Sequence, residues 1–197
     1  MKVTQVKCPK CELPLYMEVQ DEFFHCSHCG TIHTRGMQKV ERIPYEIADF
    51  RTGAQTDNRV YVPFWRLYTD FRIKSRDVRG GFFNKIGQAL KGGDKGGSLY
   101  IYVPASQLET AAFRYWAVNL TLNNPRYTTR DDFAGAKRMP AVTNRDEAIE
   151  LADFVAVTLE AEKPGTLQYL DYSLTVNEAK VIYLPFMSSP SGLHLAL

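Results

Sequence analysis

The sequence predicts an α+β protein, in which a small N-terminal module precedes a mostly antiparallel sheet body with one long helix. Three observations carry this expectation. All four cysteines of the 197-residue chain fall between residues 8 and 29, as two Cys-x-x-Cys pairs. From Arg59 onward, segments rich in β-branched and aromatic residues recur between turn signals. One stretch alone, near residues 144–163, combines helix caps with helical periodicity. The proposed layout is a module at 1–35, a connector at 36–58 and a body at 59–197.

Residues 6–33 read as two short hairpins that each present a Cys-x-x-Cys turn, with strands at 15–19 and 23–25 between them. Residues 34–58 contain Pro44 and the polar, Gly-bearing run 49–58, which suggests a connector and a turn-rich loop. Val60 to Ile73 reads as the first strand of the body and Ser98 to Val103 as the second. Paired glycines and lysines between them, at 76–97, predict a mobile basic loop. Further strands are expected at Arg114–Leu122, Thr166–Val176 and Lys180–Phe186. The helix is expected from Asn144 or Arg145 to about Lys163. Thr143 and Asn144 offer caps, Asp146 and Glu147 suit its first turn, and Pro164-Gly165 stops it. Ala148, Leu151, Ala152, Val155 and Leu159 form its apolar stripe.

Three strands share a signature: Tyr61-Val62-Pro63-Phe64, Tyr102-Val103-Pro104-Ala105 and Tyr183-Leu184-Pro185-Phe186. The spacing of the tyrosines is that of one and two units of a common period, as a duplicated β unit would leave. Proline placed where a strand leaves its ladder accounts for the same pattern without a repeat.

The strongest chemical signal is Cys8-Pro9-Lys10-Cys11, then fourteen residues, then Cys26-Ser27-His28-Cys29-Gly30. Each turn sets two sulfurs on one side of a tight bend, and two such turns facing each other supply four thiolates at tetrahedral angles around one structural Zn²⁺. Four cysteines leave no open coordination position, so the ion is expected to be structural and not catalytic. An iron-bearing electron carrier is the rival for such a donor set. His25, His28 and His33 read as surface residues or neighbours of the site. Residues 6–33 resemble the zinc ribbons of the rubredoxin-like group. That resemblance implies a structural metal and a surface that contacts protein or nucleic acid. The body resembles uncharacterised bacterial proteins that place such a ribbon before strands reading Tyr-aliphatic-Pro-aromatic.

Apolar residues make up 45% and charged residues 23% of the chain, the balance of an ordinary globular protein with a packed core. No run approaches the ~18 consecutive apolar residues of a membrane span. The first seven residues lack the apolar core of a signal peptide, and a cytoplasmic location is expected. Charge is uneven along the chain. Residues 46–140 carry fifteen Lys and Arg against nine Asp and Glu, whereas 141–197 carry three against eight. Surface charge of this kind is usually solvated. The mixture of cations and aromatics at Arg72, Lys74, Arg76, Arg79, Phe82, Phe83 and Lys85 is also one that single-stranded nucleic acid or an anionic membrane surface would use.

Residues 92–98 do not form a phosphate loop, because Lys95 is followed by glycine and a strand. Between residues 34 and 193 there is neither Cys nor His, so the body lacks a thiol nucleophile and an imidazole base. Asp131-Asp132 reads as a turn cap. The chain is therefore expected to be a non-catalytic protein-binding or assembly module, with self-association through a sheet edge as one route. A nucleic-acid-binding factor that uses the ribbon and the 72–95 segment is the alternative.

Overall fold

A computed structural model describes residues 6–15, 21–35, 40–53, 57–79, 96–161 and 166–197. In chain order the strands are β1 (Phe23–His25), β2 (Ile32–Arg35), β3 (Val40–Arg42), β4 (Tyr45–Ala48), β5 (Arg59–Arg79) and β6 (Gly96–Pro104). Helix α1 (Thr110–Asn123) follows, then β7 (Thr129–Arg130), β8 (Lys137–Arg138), helix α2 (Arg145–Ala161), β9 (Thr166–Ser189) and β10 (Gly192–Leu195). The class is α+β, mostly strand, with two helices among the described residues where one was expected.

Strands β1, β2 and β3 form a small antiparallel sheet, and β6-β5-β9-β4-β7 form the large one, with β10 on β9 and β8 on β5. The large sheet is mixed, because β4 runs parallel to β9 and β8 parallel to β5. Its spine is the antiparallel pair β5 and β9, in register from Arg59↔Met187 to Arg79↔Thr166. Irregularities at Tyr68/Thr69, Ile73/Ser75 and Asp77/Val78 bend this pair.

The Tyr-x-Pro signatures of β5 and β9 pair with each other near one end of their ladder, where Tyr61 faces Pro185, Val62 faces Leu184 and Pro63 faces Tyr183. This register places a local two-fold through the Val62–Leu184 pair, and Phe64 and Phe186 stack with centroids 6.1 Å apart. Each proline occupies a gap between flanking ladders, so its missing N–H breaks none. On one side of β5, β8 ends opposite Tyr61 and β6 ends opposite Phe64, with Pro63 between them. On β9, β4 ends opposite Tyr183 and β10 opposite Phe186, with Pro185 between. Pro104 does end its strand.

Several expectations are corrected. Residues 114–122 are helix, because Trp116, Ala117, Leu120 and Thr121 are buried at helical spacing on one face of α1. The two strands expected at 166–176 and 180–186 are one, since Asn177 sits in the bulge where Tyr68 pairs Glu178 and Thr69 pairs Val176. The connector at 36–58 carries β3 and β4. The expected loop at 76–97 is strand at both ends, in β5 to Arg79 and in β6 from Gly96, and 80–95 lie outside the described residues. Gly96 is required at its place, because a Cβ there would stand 2.6 Å from the Phe71 carbonyl oxygen.

Alternation along β5 divides the core. Tyr61, Trp65, Leu67 and Phe71 face α2, packing with Ala148, Ala152, Val155 and Leu159. Val62 and Phe64 face the other way, with Trp116, Leu120 and Phe186. Phe23, Ile32 and Ile43 from the N-terminal region belong to the first of these clusters. Phe23 meets Trp65 edge to face at 5.5 Å, and the Trp65 indole N–H donates to the Thr143 carbonyl at 2.9 Å. No helix among the described residues is long and apolar enough to cross a membrane.

Candidate metal centre

The two Cys-x-x-Cys turns are built alike. In the first, the Glu12 N–H donates to the Cys8 carbonyl at 2.8 Å, and in the second the Gly30 N–H donates to the Cys26 carbonyl at 2.9 Å. Both residues adopt the left-handed conformation this turn requires, Glu12 at φ 62° and Gly30 at φ 68°. The chain on either side then closes, through Cys8 N–H to Leu13 O, Leu15 N–H to Val6 O and Cys26 N–H to Thr31 O. The Tyr45 hydroxyl donates to the Gly30 carbonyl and so ties the second turn to β4.

These turns bring the four sulfurs within 4.8 Å of one another. Cys8 and Cys29 are 3.6 Å apart, and Cys11 and Cys26 are 3.5 Å apart. Sulfurs at ~2.3 Å from a tetrahedral ion stand about 3.8 Å from each other, so one Zn²⁺ would fit if the two shortest separations opened and the widest closed. Cys8 and Cys26 are buried against Leu15 and Phe24, whereas Cys11 and Cys29 are half-buried.

The surroundings favour thiolates at two of the four positions. The Thr31 hydroxyl, 2.7 Å from Cys29 Sγ, is the main cause of a Cys29 thiol lowered to about 6. For Cys8, burial works upward, but N–H groups of Cys11 and Lys10 outweigh it and lower the thiol. At Cys11 the backbone N–H of Leu13 works downward, yet burial and the neighbouring cysteines push the thiol up to about 12. Four sulfurs this close cannot all ionise alone, and a divalent cation held by Cys8, Cys11, Cys26 and Cys29 would supply the charge that lets them.

Of the three histidines near the module, only His33 reaches the sulfurs, with Nε2 3.3 Å from Cys8 Sγ. His25 stacks edge to face on Phe133, and His28 is exposed at the tip of the second turn. Thr31 lies just before β2 and His33 within it, two residues apart, and nothing in the spacing of the cysteines singles them out.

Of the residues proposed for nucleic acid, only part falls among the described residues. Arg72 and Lys74 are exposed on β5, with Lys74 Nζ 3.7 Å from Asp171 Oδ1. Arg76 and Arg79 lie further along β5, and Phe82, Phe83 and Lys85 lie outside the described residues. Asp132 caps its turn, accepting from the Ala134 N–H at 2.8 Å and from Arg130 at 3.2 Å. Compared with protein-family models, curated proteins and solved structures, the chain finds no match.

Proposed function

We propose that this chain is a zinc-ribbon protein in which one structural Zn²⁺, held by Cys8, Cys11, Cys26 and Cys29, fixes a surface for binding another protein. The carrying observation is the cluster of four sulfurs within 4.8 Å, a donor set that fills every tetrahedral position and leaves none for substrate. The ion braces the two turns, and their tips are open to solvent. Pro9, Lys10, Ser27 and His28 are exposed there, and Leu13 beside them is 42% exposed. An exposed leucine on a metal-braced turn suits an apolar contact with a polar rim.

Affinity purification of the full chain with nuclease treatment, followed by mass spectrometry, tests this reading. A protein captured by the wild type and lost with Leu13→Asp, while zinc content and melting temperature stay unchanged, is the expected result. Capture that vanishes on nuclease treatment, or that survives Leu13→Asp together with Lys10→Glu and His28→Asp, contradicts it.

A further inference from the structure

Zn²⁺ with four thiolates carries a net charge of −2, and two of these sulfurs are buried. Charge in such a place needs hydrogen-bond donors around it. One is the backbone N–H of Lys10, 3.4 Å from Cys8 Sγ. Backbone N–H groups of Cys11, Leu13 and Thr31 also point at the sulfurs, and the side-chain donors lie on the segment that leaves the second turn. Thr31 Oγ1 lies 2.7 Å from Cys29 Sγ and 3.8 Å from Cys8 Sγ. His33 Nε2 lies 3.3 Å from Cys8 Sγ and 3.1 Å from Thr31 Oγ1. Both residues are buried, at 4% and 1% exposure.

Counting donors fixes the arrangement. A metal-bound thiolate only accepts, so the Thr31 hydroxyl hydrogen goes to Cys29 and its oxygen is left to accept. His33 must then carry its proton on Nε2, shared between Cys8 Sγ and Thr31 Oγ1. The opposite ring nitrogen, Nδ1, is buried with no hydrogen-bond partner among the described residues. A buried acceptor left unpaired is costly, so the ring is held by what Nε2 does at the sulfurs. His33 is not itself one of the mutually close ligand atoms, which are those of the four cysteines.

We propose that Thr31 and His33 are positioning residues for the metal, a two-member relay that donates to the Cys29 and Cys8 thiolates, withdraws charge from them and tightens the hold on the ion. This rests on the zinc reading above. Residues that orient and polarise metal ligands typically change metal affinity by about 10–100-fold when removed.

The test uses the full-length protein loaded with Zn²⁺ or Co²⁺. Thr31→Val keeps the shape and removes the hydroxyl, His33→Ala removes the ring, and His33→Gln restores an N–H donor on a shorter side chain. Thr31→Val and His33→Ala should each weaken Zn²⁺ by about tenfold or more in competition with a chromogenic chelator. They should also move the sulfur-to-cobalt charge-transfer absorption to lower energy, because thiolates that lose a donor become richer in charge. His33→Gln should recover part of both. A purely structural role would lower the melting temperature and leave the absorption where it is. Zinc affinities within about threefold of wild type and an unmoved absorption in Thr31→Val and His33→Ala would overturn the relay, since a positioning role predicts more. A wild-type protein that gives no four-thiolate cobalt spectrum would instead overturn the zinc reading, and the relay with it.

Discussion

Glu12 and Gly30 occupy equivalent positions in the two metal turns, and only one of them is a glycine. A side chain in the left-handed region costs roughly 1–2 kcal/mol, because Cβ crowds the neighbouring carbonyl. Glu12→Gly in the zinc-loaded protein should therefore raise stability by about 1 kcal/mol, partly offset by the entropy of the added glycine. Gly30→Ala should lower stability by a similar amount, and urea unfolding of both variants measures the pair. Phe23 sets a second test at this scale. It is 2% exposed and packs on Trp65, so Phe23→Ala should destabilise the whole chain by about 3–5 kcal/mol through the cavity it leaves. A loss confined to residues 6–35 in hydrogen exchange, with β5 unchanged, would mean that the module and body do not share a core.

At the scale of elements, the α2 N-terminus is a reciprocal cap. The Asp146 and Glu147 N–H groups both donate to Asn144 Oδ1 at 3.0 Å, and the Asn144 N–H donates to Glu147 Oε2 at 3.0 Å. Asn144→Ala should cost about 1 kcal/mol in thermal unfolding. This helix was legible because cap, acidic first turn and stripe all agreed. Helix α1 was not, because its aromatic and β-branched residues, Phe113, Tyr115, Trp116, Val118 and Thr121, favour strand by propensity. Its stop signal, Asn124 in the left-handed conformation before Pro125, is the feature that identifies it. The continuity of β9 was hidden by Asn177, a residue that signals a turn but is absorbed by a bulge, where its amide donates to Asp70 at 2.9 Å. The pairing of β5 with β9 is a long-range fact, and nothing local announces it. Those strands are joined to β4 by a polar cluster. Glu46 accepts from Lys180 at 2.6 Å and from the Tyr127 hydroxyl at 2.9 Å, with Arg66 at 3.4 Å. Burial works against its charge, but Lys180, Tyr127 and Arg66 outweigh it and hold the carboxyl below its usual range. A lowered carboxyl stabilises the fold above its unfolded pKa, near 4.3, and that stabilisation disappears as pH falls through the lower folded value. Glu46→Gln should accordingly be less stable than wild type at pH 7, and the gap should close below about pH 4. A gap that persists unchanged at pH 3 would show that the carboxylate charge is not its source.

At the scale of the molecule, the cluster of four cysteines was legible because two spaced pairs in one short segment state their chemistry locally. What surrounds them was not. The sequence suggested a ribbon attached through a connector, whereas Phe23, Ile32 and Ile43 sit in one apolar cluster with Trp65, Tyr183 and the stripe of α2. The Glu22 N–H also donates to the Ala141 carbonyl at 2.6 Å, and the Ala141 N–H returns a bond to Asp21 at 3.0 Å. A metal ion held by the four cysteines would thereby be coupled to the body, because binding free energy at a site absent from the unfolded chain is folding free energy. The measurement closest to this account is the native mass of the purified full-length chain. A mass higher by one zinc ion per chain is expected, and the ion and the folded form should be lost together when Cys8 and Cys29 are changed to serine. A cleanly folded wild-type protein that carries iron, or no metal at all, would contradict it.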